Sequence, residues 1–162
     1  MLKTLILLAT LSCPAAALAQ AAQIDFGGMA QDTSAPVSVD ADQLSVDQAT
    51  GQATFTGNVR VEQGDLRLVA DQVRVEYGAS EGEIRTLHAN GNVTLASPDM
   101  AAEAQDAAYT IASGIIEMTG DVLLTQGPNT IAGERLTIDA ASGTGRMEGR
   151  VRTVFQPGQP AQ

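Results

Sequence analysis

Two short motifs recur four times in lockstep along this chain, and their spacing constrains the fold more than any other feature. The first is Thr54-Phe55-Thr56-Gly57-Asn58-Val59-Arg60-Val61, repeated at His88–Leu95, Glu117–Leu124 and Met147–Arg152. Its glycines fall at 57, 91, 120 and 149, at intervals of 34, 29 and 29 residues. The second is Ala41-Asp42-Gln43-Leu44-Ser45-Val46, repeated from Ala70, Ala104 and Gly133 at intervals of 29, 34 and 29. A period of this length marks stacked supersecondary units, none of which buries its apolar face alone.

Side chains alternate within the units, which is the strand signature. Phe55, Gly57, Val59 and Val61 share one face, as do Leu87, Ala89, Gly91, Val93 and Leu95, and then Ile116, Met118, Gly120, Val122 and Leu124. Each repeat glycine therefore sits on the apolar line, where a bend or a close approach by another group is expected. The intervening strands slip by one residue. Leu66, Leu68 and Ala70 are in phase, then Val73, Val75 and Tyr77; the slip recurs after Ala41, after Ala104, and between Ile131-Gly133 and Leu136-Ile138. A slip of one residue reverses the faces unless a bulge or corner restores them. Corners are thus expected at Ala41, Ala70, Ala104 and Gly133. Turn chemistry separates the strands at Ala49–Gln52, Glu62–Asp65, Ser97–Asp99, Ala112–Gly114, Gln126–Asn129 and Ser142–Gly145. The expected fold is all-β: an antiparallel β-jelly roll or open two-sheet stack of four tandem hairpin repeats. Eight long strands at about 4.8 Å each give a stack about 38 Å long.

Residues 1–19 read as a secretory signal peptide: Lys3, the apolar run Leu5–Leu11, and an Ala17-Leu18-Ala19 site with cleavage before Gln20. Cys13 raises lipidation as an alternative, against which Thr10-Leu11-Ser12 is a poor match. Residues 20–34 read as a flexible leader, 35–155 as the β-domain and 156–162 as a disordered tail. An exported chain lacking residues 1–19 keeps no Cys and no Lys, and has eight Arg against nineteen acids. That balance argues against nucleic acid and against broad contact with anionic headgroups. His88, the sole histidine, has no Cys or second His to join it as a metal ligand, and it is the only imidazole available to a nucleophilic triad. Asp42, Asp71 and Glu134 recur at one repeat position, as expected of a solvated corner edge. No cofactor, metal or catalytic residue is indicated, and an enzyme is not expected.

The tandem Ala41-Asp42-Gln43-Leu44-Ser45-Val46, Phe55–Val61, Ala70-Asp71-Gln72-Val73 and Asn90-Gly91-Asn92-Val93 units resemble the OstA-like family over residues 37–155. The resemblance implies a periplasmic bridge that shields lipopolysaccharide acyl chains (those of lipid A) between the inner and outer membranes. Under it, the candidate lipid-binding face is Phe55, Val59, Val61, Leu66, Leu68, Val73, Val75, Leu87, Val93 and Leu95. It continues through Ile116, Met118, Val122, Leu124, Ile131, Leu136 and Ile138. The resemblance also implies sheet continuation at both ends. An LptC-like inner-membrane partner would take an N-terminal edge at Val37 and Val39. An LptD-like outer-membrane translocon, or a second copy in a head-to-tail homo-oligomer, would take a C-terminal edge at Val151 and Thr153. The residues alone do not separate a filled sandwich core from an open lipid groove, with Ala89, Gly91, Gly120 and Gly149 as small inward residues that would leave space for acyl chains. A structural or adhesive exported β-solenoid without a lipid ligand is the alternative function.

Overall fold

The computed structural model describes residues 22–25, 34–80 and 82–156. The expected signal peptide and cleavage site, and the expected tail after Gln156, lie outside the described residues.

Among the described residues, eleven strands form one antiparallel sheet: β1 (Ala22–Asp25), β2 (Ser38–Asp40), β3 (Gln43–Asp47), β4 (Gln52–Gln63), β5 (Leu66–Tyr77), β6 (Ile84–Ser97), β7 (Met100–Thr110), β8 (Ile115–Gln126), β9 (Asn129–Asp139), β10 (Thr144–Glu148) and β11 (Arg152–Val154). Neighbours in sequence pair from β4 to β9. At one end β2 and β3 both pair β4, so they are one long strand broken at Ala41-Asp42. At the other, β10 and β11 both pair β9 and are one strand broken at Gly149–Val151. Counted this way, the repeats supply the eight long strands that the sequence predicts.

The breaks and bulges fall where the phase slips place them. Val59 pairs Ala70 and Thr56 pairs Gln72, so Gly57 and Asn58 together oppose Asp71. The same two-against-one register shift separates β5 from β6, β6 from β7, β7 from β8 and β8 from β9. The extra residue lies in each Gly-containing strand and not in the Ala-containing one. Two consecutive residues there adopt positive φ: Gly57 at 83° with Asn58 at 46°, and Gly91 at 77° with Asn92 at 46°. Gly120-Asp121 and Gly149-Arg150 repeat the pair. This bulge folds every strand at one level, and the half-strands on either side of it face each other across a shared interior.

Along β5 the burial pattern is itself the corner. Leu66, Leu68 and Ala70 are buried, Asp71 and Gln72 are both exposed, and Val73 and Val75 are buried again. Alternation on both sides of the corner feeds one contiguous core, whose largest fully buried members include Leu87, Leu95, Ile116, Met118, Leu124, Leu136 and Ile138.

One element departs from expectation. Ala22–Asp25, expected within a flexible leader, is a strand that pairs β10. Its apolar residues are few, and its pairing with residues 144–147, over a hundred positions away, leaves no local signature.

Candidate functional site

The candidate site is the interior, and the strand alternation builds it. Of the side chains expected to line it, all are buried except Phe55, which is half-buried and packs against the core. Val59, Val73, Leu95, Ile116, Met118, Leu124, Leu136 and Ile138 are at 0% exposure. Among the described residues, Gln63 is the one buried polar side chain that is neither aromatic nor aliphatic. An apolar column thus runs through the stack without a charge. The side chains pack on one another, so in this state the interior is a filled core.

The glycines do not open space in it. A Cβ placed on Gly57 would lie 2.6 Å from Asp42 Oδ2, and one on Gly91 would lie 2.5 Å from Asp71 Oδ2. At Gly120 the neighbour is Gln105, and at Gly149 it is Glu134. Counting by two puts these glycines on the inward line. Positive φ re-aims the missing Cβ at an exposed polar side chain of the adjacent strand. Clearance for acyl chains at Gly91, Gly120 and Gly149 is therefore corrected to clearance for a corner side chain.

Nor are the recurring acids merely solvated. Asn58 Nδ2 donates to Asp42 Oδ2 at 2.8 Å, and the Asp42 N–H donates to the Gly57 carbonyl at 3.0 Å. Asn92 Nδ2 donates to Asp71 Oδ2 at 2.8 Å. Arg150 donates twice to Glu134 Oε1, at 2.9 and 2.7 Å. The first, second and last corners thus pair an acid with a donor one strand away. His88 is half-buried beside Glu76, at 3.5 Å, and Arg85 donates to the same carboxylate at 2.9 Å. The Arg85 hydrogen bond holds the Glu76 carboxyl below its ordinary range.

Sequence reasoning missed one interior contact. Tyr109 Oη donates to Gln63 Oε1 at 2.6 Å, joining β7 to the end of β4 across 46 positions of sequence. Gln63 Nε2 in turn donates to the Ala35 carbonyl at 2.9 Å. Tyr109 lies before its corner-distal turn and Gln63 lies at the far end of its strand from Gly57, so the bond ties the two facing half-sheets away from the corners. Burial raises the Tyr109 phenol. Tyr109 and Gln63 occupy inward positions of their strands, which is the one signal that could have drawn attention to them.

The two edges are unequal. At the N-terminal end, Val39 pairs Val61 and is half-buried, as is Val37, while Leu44 and Val46 on β3 are 58% and 61% exposed. At the C-terminal end, Thr153 pairs Ile131, and Val151 is exposed between β10 and β11. Val154 and Phe155 are exposed at 53% and 73%. β1 covers β10 at Thr144–Met147, and the expected edge at Val151 and Thr153 lies beyond that pairing.

Known proteins share this architecture. The chain is 29% identical over 152 residues to the lipopolysaccharide export system protein LptA of Escherichia coli, covering 86% of this chain and 80% of that protein. It is 28% identical over 153 residues to the protein R00383 of Rhizobium meliloti, covering 88% and 82% of the two chains. The crystal structure of LptH, the LptA homologous periplasmic component of the lipopolysaccharide transport device of Pseudomonas aeruginosa, superposes with a TM-score of 0.70 at 21% identity. That match covers 78% of this chain and 99% of LptH, and it shows the shared β-jelly-roll fold. A profile of the LptA/(LptD N-terminal domain) LPS transport proteins matches residues 38–144. With that match spanning the corner ladder and the apolar column alike, this chain belongs to the LptA/(LptD N-terminal domain) family of lipopolysaccharide transport proteins.

Proposed function

We propose that this chain is a periplasmic lipopolysaccharide carrier that shields acyl chains within its interior and hands them along a sheet continued from edge to edge. The observation that carries the reading is the apolar column, which runs from β4 to β10 without a charged side chain. Acyl chains are solvated only by such a surface, and burying them removes about 25 cal/mol of unfavourable free energy per Å² from water. Because the core is filled, lipid enters by parting the half-sheets away from the corners, where the Tyr109–Gln63 bond ties them. The corners, held by backbone geometry and acid–donor pairs, act as the fixed hinge line.

Edge continuation follows from strand count. With eight alternating long strands, the first and last run in opposite directions, so a second molecule continues the antiparallel ladder head to tail without being turned over. Exposed edges of this kind pair with other chains. The N-terminal edge, with Leu44 and Val46 uncovered, is the face for an LptC-like inner-membrane partner. The C-terminal edge takes another copy or an LptD-like translocon. Export by cleavage before Gln20 belongs to the same reading.

The test is photocrosslinking in cells from Leu95, inside the column, with Arg60, exposed on β4, as the control. Attached lipopolysaccharide at Leu95 and none at Arg60 is the expected result. A structural or adhesive solenoid gives none at either position, and that outcome would sink the carrier reading.

A further inference from the structure

The arm β1 reproduces, on the outer side of β10, the pairing that β9 makes on its inner side. β9 sets Leu136, Thr137, Ile138 and Asp139 against Met147, Arg146, Gly145 and Thr144. β1 sets Ala22, Gln23, Ile24 and Asp25 against the same four residues in the same order. The sequences correspond as well: Ala22-Gln23-Ile24-Asp25, Leu136-Thr137-Ile138-Asp139 and, at the opposite end of the stack, Leu44-Ser45-Val46-Asp47. β3 sets that last segment against Phe55, Thr54, Ala53 and Gln52 of β4, two residues before the Gly57 corner begins. β10 stands in the same relation to Gly149. The arm therefore occupies the place that Leu44–Asp47 of a second copy would take if the stack were continued.

We propose that Ala22–Asp25 is a built-in competitor for the C-terminal edge: it holds the docking position of a second copy's β3 and must be displaced for head-to-tail pairing. The proposal rests on the edge-pairing reading above and adds to it the control of that edge. Three features make the arm displaceable. It pairs over four residues and covers β10 only, whereas an incoming edge offers the five residues of β3 and the three of β2, enough to reach β11 as well. Docking also covers Leu44 and Val46, which are 58% and 61% exposed in the free chain. Finally, β1 and β2 lie at opposite ends of the strand order, so holding the arm restricts the segment that joins them.

Charge fits the exchange. Along the stack each acid corner lies beside a Gly corner, and Asp42 ends the series at one edge while Gly149-Arg150 ends it at the other. The incoming Asp42 would lie beside Arg150, which donates to Glu134 yet keeps a side chain that is 91% exposed. In a dilute chain the arm blunts an edge that would otherwise pair indiscriminately. At high local concentration the longer, charge-matched edge replaces it.

The test uses the exported chain, which keeps no native cysteine after cleavage before Gln20. Gln23→Cys with Arg146→Cys places two thiols at a directly opposed pair on the exposed line of β10, within the reach of a disulfide. A second variant lacks residues 22–25. Association is followed by sedimentation velocity across a concentration series. The oxidised double variant is expected to stay monomeric where the native chain associates, and to recover on reduction. The arm-less chain is expected to associate at concentrations at least about tenfold lower than the native chain. Unchanged association of the oxidised chain, no shift in the arm-less chain, or a disulfide formed between chains instead of within one would each overturn the competitor. Leu44→Asp in the arm-less background separates this from the edge reading. If it leaves association intact, β3 is not the docking strand and edge pairing fails together with its control.

Discussion

Asn92 donates its side-chain amide to Asp71 one strand away at 2.8 Å, while its own backbone sits at a φ of 46°. The same residue thus supplies both halves of a corner: a left-handed backbone that turns the strand, and a donor that fixes the neighbouring acid. Asn58 does the same for Asp42. Asparagine suits the task because its short polar side chain tolerates the left-handed region better than other non-glycine residues.

Replacing Asn92 separates the two contributions. Asn92→Ala loses the donor and places a less tolerant residue at positive φ, and should cost about 1–2 kcal/mol. Asn92→Gly loses the donor alone and should cost less, because glycine accepts that backbone. Urea midpoints of the two variants decide it; equal losses in both would show that the hydrogen bond, and not the backbone, dominates the corner.

Gly91→Ala should be worse than either. Its Cβ would meet Asp71 Oδ2 at 2.5 Å, and its φ is 77°. A loss of about 2–4 kcal/mol is expected from strain and overpacking together. Asp71→Gly in the same chain removes the clash and leaves the backbone term, so partial recovery in thermal melts is the expected outcome.

Tyr109→Phe deletes the donor to Gln63 Oε1 within the interior. The cost should be about 1–2 kcal/mol, since a buried hydrogen bond is lost. The hydroxyl also sets a pH limit. Burial raises the phenol in the folded chain, so its contribution is whole below the unfolded value of about 10 and is lost as pH rises through the folded value. Stability curves of the native chain should fall above about pH 10, and those of the Phe variant should fall less. Under the carrier reading, loosening this tie also raises lipid crosslinking at Leu95.

The acid limb should report two turns. The backbone N–H groups of Ala49 and Thr50 donate to Asp47, and those of Ala141 and Ser142 donate to Asp139. These bonds hold both carboxyls below their ordinary range. Folded values below the unfolded ones mean stabilisation that is present above about pH 4 and lost as pH falls through the folded values. Asp139→Ala should flatten the decline between about pH 4 and pH 2 in denaturant titrations, while Asp99→Ala, in a turn without such bonds among the described contacts, serves as the reference.

Much of this molecule was legible from residues alone. The period-two alternation of Val59, Val61 and their repeats fixed the interior face, because a half-buried strand permits no other pattern. The phase slips at Ala70, Ala104 and Gly133 fixed the corner level, because a slipped strand can keep its apolar side chains inside only by turning. Three features were decided by the tertiary structure. Parity counting put Gly57 and Gly91 on the inward line, but their positive φ aims the missing Cβ at Asp42 and Asp71, and no alternation pattern encodes a dihedral sign. The Tyr109–Gln63 tie forms only once folding at the corners brings the half-sheets face to face. Last, Ala22–Asp25 is a strand only because β10 offers an unpaired ladder in matching register; four residues of such composition carry too little preference to form one by themselves.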